Sequence, residues 1–219
     1  MSQPATSFSD HHDKPKLRGV SHQIAFVIAA IAGLALVVWA PASARLPVAI
    51  YAMSLAGMFG CSALYHRVQW SDRQRPWLRR LDHSMIFVLI AGTYTPFAAL
   101  VLDPPLSTII LVTVWGGAAA GILVTLFWVD APRWITAAIY VALGWISLLM
   151  LPALWGEVGA APIIMMATGG VLFTVGAVVY ARKSPNPVPG VFGFHEVFHA
   201  FVIAAAAIMF VAVALYAVP

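Results

Sequence analysis

Cysteine is almost absent from this chain: Cys61 is the only one. No intrachain disulfide can form, and a zinc site built from several thiolates is excluded. Charge is scarce as well. Asp, Glu, Lys and Arg make up 9% of the 219 residues, against about 25% in a soluble domain. The chain is 62% hydrophobic with a mean hydropathy of +0.90, and so reads as an integral membrane protein of one domain. Lysine is confined to Lys14, Lys16 and Lys183, all outside the apolar runs, which excludes a retinal Schiff base within the helices. A polar stripe across several helices, as a pore-forming cytolysin needs, is also missing. The net charge of +4 and the pI near 9.5 would suit a nucleic acid. The basic residues instead cluster beside apolar runs, so no nucleic-acid partner is expected.

What the chain does have is seven apolar runs of membrane-spanning length. They cover residues 24–40, 46–66, 82–102, 106–129, 134–155, 160–180 and 193–217. The expected fold class is therefore an all-α membrane protein with seven transmembrane helices over residues 23–219. Residues 1–22 form a polar tail and lack the apolar core of a signal peptide. Pro41, Pro104, Pro105, Pro132, Pro185 and Pro187 punctuate the short connections. Trp39, Trp70, Trp77, Trp134 and Trp155 fall at the ends of the runs, as an aromatic belt does. Eleven of the twelve Lys and Arg residues fall on one side of the seven spans, and Arg45 alone falls on the other. Positive residues stay cytoplasmic. The N-terminus is thus expected inside and the C-terminus outside a plasma or inner membrane.

Five ionisable side chains then lie at the cytoplasmic ends of spans: His66, Asp82, His195, Glu196 and His199. A titratable group in hydrocarbon costs at least about 2.5–3.5 kcal/mol, so such groups are functional-site candidates. His195-Glu196-Val197-Phe198-His199 is an H-E-x-x-H pattern. Residues four apart share a helix face, which lets two imidazoles hold one zinc ion. A third ligand has to come from elsewhere, and His66, closing the second span, fits by type and depth. Three histidines with an open fourth position is the pattern of a catalytic zinc.

Two carboxylates compete for the role of base. Glu196 occupies the position of the base in soluble zinc proteases, but it lies about 100° around the helix from His195. Asp82, expected to open the third span, could orient a water at the metal. Ser62 lies one turn below His66 on the same helix face. His83 points to another face than Asp82 and reads as a packing residue. Pro96 is expected to kink the third span, and Gly117 and Gly121 read as a helix-packing pair.

Ser62-Ala63-Leu64-Tyr65-His66, Asp82, Ala91-Gly92-Thr93-Tyr94-Thr95-Pro96-Phe97 and the HEVFH segment together resemble the hemolysin III family. That family is grouped with the progestin and adipoQ receptors and, more distantly, with alkaline ceramidases. The resemblance runs from the first span to the last. It implies seven helices, a cytoplasmic N-terminus and a zinc ion near the cytoplasmic face. In the receptor branch the positions matching His66, His195 and His199 bind the zinc. The position matching Asp82 holds the metal's water, and the one matching Ser62 lies beside the site. The receptors carry Gln in place of Glu196 and Tyr in place of His83, which argues against either as a required zinc-site group. The receptor branch is linked to hydrolysis of ceramide amide bonds.

The leading expectation is an intramembrane, zinc-dependent hydrolase of a lipid amide or ester, with membrane lipid as its substrate. The alternatives are a non-catalytic regulator or receptor with a structural zinc, and a cytolytic protein.

Overall fold

Hydrocarbon offers no partner for a free backbone N–H or C=O, so an apolar run in a membrane has to satisfy its own backbone as a helix. The computed structural model, which describes residues 15–128 and 130–218, follows that rule. Among the described residues there is no β-strand, only the isolated bridge of Val188 with Phe192. The helices are α1 (Val20–Trp39), α2 (Arg45–Arg67), α3 (Arg75–Leu100), α4 (Leu106–Phe127), α5 (Arg133–Gly144), α6 (Leu151–Val158), α7 (Ala160–Arg182) and α8 (Phe194–Ala212). A π-helical turn, Val213–Ala217, extends α8. Six helices are long and apolar enough to cross a membrane, and the bent pair α5–α6 makes a seventh span if counted as one.

Two expectations need correction. The third helix does not open at Asp82. It starts at Arg75, which leaves Asp82 two turns inside it. The added turns carry Arg75, Arg79 and Arg80, which a hydropathy criterion rejects although long basic side chains reach outward from such a position. Pro76 sits in the first turn, where its missing N–H costs nothing. Ser71 and Gln74 close the preceding turn, Ser71 Oγ donating to Gln74 Oε1 over 2.8 Å. Arg80 Nε donates to the Leu126 carbonyl, 3.0 Å away, and so satisfies an end carbonyl of α4.

The second correction concerns the run 134–155, which is not one helix. It breaks into α5, a 3₁₀ segment Trp145–Leu149 and α6, with a bend of 51°. Pro152 in the first turn of α6 cannot donate to the carbonyl of Leu148, four residues back. The Tyr94 hydroxyl ties the 3₁₀ segment to α3, donating to the Gly144 carbonyl and accepting the Ser147 N–H over 2.7 Å.

The chain crosses the bundle back and forth. His22 of α1, His66 of α2, Arg80 of α3, Leu126 of α4, Arg133 of α5 and Tyr180 of α7 mark one end, as their contacts there show. Since α7 starts from the opposite end, the bent α5–α6 pair leads from one end towards the other, and the described residues hold six or seven candidate spans. The most enclosed helices are α2 and α3, which bury Tyr51, Phe59, Phe87 and Phe97. Ile31, Leu34, Met53, Val112 and Val171 are exposed, which suits a lipid-facing surface. Gly117 and Gly121 serve packing as expected: a Cβ on Gly121 would lie 2.2 Å from the Phe87 ring, and one on Gly117 2.6 Å from Leu143. Pro96 is buried within α3, which runs unbroken from Arg75 to Leu100.

Candidate metal centre

The last turn of α2 and the first turns of α8 meet at one end of the bundle, and each brings imidazoles. The ligand atoms of His66, His195 and His199 all lie within 4.8 Å of one another. His66 Nε2 and His195 Nε2 are 3.1 Å apart. Two nitrogens each 2.0–2.1 Å from a tetrahedral metal would lie about 3.3–3.4 Å apart. The observed pair is therefore close to ligating geometry. His199 is buried and, among the described residues, its Nδ1 has no hydrogen-bond partner, a state that costs about 1–3 kcal/mol. Three converging imidazoles, one with an orphaned nitrogen, fit a shared cation. A borderline-soft divalent ion suits such a donor set better than a hard, oxygen-seeking one.

Asp82 reaches the same place from α3. Its Oδ2 lies 3.8 Å from His66 Nε2, and the side chain is buried. That distance puts the carboxylate beside the imidazole cluster, within reach of a water held there. Ser62, one turn deeper on α2, is buried and forms a hydrogen bond of 2.9 Å with His22 Nδ1.

His22 escaped the sequence reading because it falls before the apolar run of α1, which the structure begins at Val20. It is buried, and its ring stacks on His199 with centroids 3.6 Å apart and planes 9° from parallel. The available signal was its place two residues before the apolar run, at the end where the other histidines lie. Gly19 permits this docking. Its φ is +79°, and a Cβ there would lie 2.6 Å from the His66 Cβ.

Glu196 is turned to a different task. Its Oε2 accepts the Gly193 N–H over 2.8 Å, capping α8, and its Oε1 pairs with Arg18 Nε. The carboxylate is buried in that arrangement and fastens the segment before α1 to the start of α8. His83 lies outside the histidine trio. The Tyr140 hydroxyl donates to its carbonyl over 3.0 Å.

The cluster opens into a cavity of about 140 Å³ bounded by α3, α5, α7 and α8. His22, Ser62, Asp82, His195 and His199 form its polar end, while Leu89, Ile90, Phe173, Val202 and Met209 line the remainder. From His199 to Met209 is ten residues, about 15 Å along the helix. The arrangement can therefore hold a polar group against the histidines and an apolar tail beneath it.

A family model described as Haemolysin-III related matches residues 11–210. Hemolysin-3 homolog of Bacillus subtilis (strain 168) is 32% identical over 169 residues, covering 77% of this chain and 76% of the relative. Hemolysin-3 of Bacillus cereus is 29% identical over 226 residues, covering 100% of this chain and 99% of the relative. The human Monocyte to macrophage differentiation factor is 26% identical over 171 residues, covering 75% of this chain and 67% of that protein. A multi-pass bundle of six or seven apolar helices with three histidines gathered at one end is thus the form taken here by a member of the haemolysin III family, to which this chain belongs.

Proposed function

We propose that the protein is an intramembrane zinc-dependent hydrolase of a lipid amide or ester, working near the cytoplasmic face of the cell membrane. The observation that carries the reading is the junction of polar and apolar surfaces: His195 and His199 of the histidine trio, with Asp82 and Ser62, form the polar end of an otherwise apolar cavity. His66, His195 and His199 would hold the metal. Zinc, when bound, supplies Lewis-acid polarisation of a carbonyl and lowers the pKa of a water towards about 7. Asp82 takes a proton from the attacking water as its oxygen bonds to the carbonyl carbon. It returns that proton to the amine or alcohol as the C–N or C–O bond breaks. Ser62, held by His22, orients the polar head. The apolar wall receives the acyl chain and keeps bulk water out.

The orientation follows from charge. The histidine end carries Arg79, Arg80, Arg133, Arg182 and Lys183, and the positive-inside rule puts that end in the cytoplasm. A second reading, a non-catalytic regulator in which zinc clamps α2 to α8, draws support from the Arg18–Glu196 pair, which fastens the same end. The test is metal analysis of the purified protein together with lipid profiling of its products in vesicles. About one zinc per chain and a fatty acid released in step with an amine or alcohol are expected. Zinc without any lipid product favours the clamp, and absence of zinc ends both readings.

A further inference from the structure

A second, smaller recess lies at the histidine end between α3, α4 and α5. It is lined by Arg79, His83, Thr125, Trp128, Arg133 and Tyr180, among others. Arg133, the first residue of α5, lies over two rings, its guanidinium carbon 5.5 Å from the Tyr180 centroid and 5.8 Å from that of Phe194. An arginine stacked in this way keeps the N–H donors at its edge free for an anion. Among the described residues, no acceptor hydrogen-bonds the Arg133 guanidinium and no side chain hydrogen-bonds the His83 ring. Arg79 is partly engaged, with Nη1 3.1 Å from Asp130 Oδ1, but that carboxylate is 84% exposed. Two guanidiniums against one solvated carboxylate leave the recess electropositive. The N–H groups of Arg133 and Trp134 precede the first intrahelical bonds of α5 and add to that field.

We propose that this recess binds the phosphate of an anionic phospholipid of the surrounding leaflet. The guanidinium edges supply donors in the paired geometry that phosphate oxygens accept. The surroundings favour a lipid over a free phosphate. Phe127, Trp128 and Trp134 are exposed beside the recess, and Leu123 and Val112 continue an exposed apolar face along α4 on which acyl chains can lie. Aromatic side chains of this kind mark headgroup depth, and basic pockets between membrane helices are suited to acidic headgroups. Size narrows the choice further. The recess measures about 20 Å³, close to the space of one water molecule. One phosphate oxygen enters it and the rest of the headgroup stays outside. The site therefore reads the phosphate charge and not the headgroup beyond it. His83 and Tyr180 form a wall shared with the larger cavity, but occupancy needs neither zinc nor turnover, so the proposal stands apart from the hydrolase reading.

The full chain in phosphatidylcholine nanodiscs doped with phosphatidylglycerol, released and weighed intact by native mass spectrometry, tests this. The wild-type chain should retain one phosphatidylglycerol in preference to phosphatidylcholine. Arg133→Gln should lower that retention about tenfold, as loss of a charge-assisted pair predicts. Arg79→Gln should lower it less, because Asp130 shares that side chain. Inorganic phosphate should not displace the lipid. Equal retention of the two lipids by the wild type, or undiminished retention by a folded Arg133→Gln protein, overturns the proposal. Displacement by inorganic phosphate overturns the lipid assignment. If Arg133→Gln does not fold, Arg79→Gln decides, and unchanged retention in that variant counts against the site.

Discussion

His22 supports two site residues at once, with its ring parallel to His199 and its Nδ1 bonded to Ser62. Replacing it by Phe keeps the stacked ring and removes the hydrogen bond; replacing it by Ala removes both. We expect His22→Ala to weaken zinc retention roughly 10–100-fold, as loss of a ligand's supporting contact does. His22→Phe should retain zinc better while disturbing Ser62, and competition with a chelator separates the two. If both variants hold zinc like the wild type, His22 is only a packing residue.

Asp82 should behave differently from the three histidines. Asp82→Ala should keep most of the metal and lose lipid turnover, whereas Ala at His66, His195 or His199 should lose the metal. Elemental analysis beside a product assay distinguishes them, and loss of zinc from a folded Asp82→Ala protein would make Asp82 a ligand. For Glu196, the cap and the Arg18 pair predict a cost in stability. Glu196→Gln keeps an oxygen for the Gly193 N–H but loses the charge facing Arg18, an expected loss of about 1–3 kcal/mol. Thermal unfolding should register that loss while turnover per folded molecule persists. Abolished turnover would return Glu196 to the chemistry.

At the scale of elements, the broken α5–α6 span depends on α3. The Tyr94 hydroxyl serves the Gly144 carbonyl and the Ser147 N–H, and Tyr94 also lines the large cavity. Tyr94→Phe leaves the Ser147 N–H without its acceptor and the Gly144 carbonyl with only the Ser147 hydroxyl, at about 1–3 kcal/mol. Its melting temperature should fall while zinc content stays near that of the wild type, because Tyr94 lies twelve residues, about 18 Å, along α3 from Asp82. An unchanged melting temperature would mean that the break sustains itself. The junction of α3 with α4 gives a second test. Gly121→Ala would drive a methyl into the Phe87 ring, an overpacking expected to cost about 1–3 kcal/mol in thermal unfolding.

The whole molecule stands or falls on the number of crossings. Counting the bent α5–α6 pair as one span gives seven, and the described chain then runs from the histidine end at Pro15 to the opposite end at Val218. Met1 and Pro219 lie outside the described residues, as do His11, His12, Asp13 and Lys14. A reporter fused before Met1 should mark the cytoplasm and one fused after Pro219 the other side. If both ends proved cytoplasmic, α8 would run the other way, and His195 and His199 could not share a metal with His66.

Hydropathy and charge were enough to determine the helical class, the apolar runs and the one-sided distribution of Lys and Arg, because lipid penalises every exception to them. The i, i+4 spacing paired His195 with His199, since a helix face is a local property. Depth along the spans singled out His66 and Asp82, because a titratable group in an apolar run stands out wherever the helix packs. Tertiary structure decided what local pattern cannot encode. It bent the fifth span around a hydroxyl borrowed from α3. It extended α3 past its apolar run, where Arg80 finds a carbonyl of α4. It turned Glu196 towards Arg18 and brought His22, unremarkable in sequence, onto His199. Each of these depends on a partner many residues away, and only the packed bundle brings such partners together.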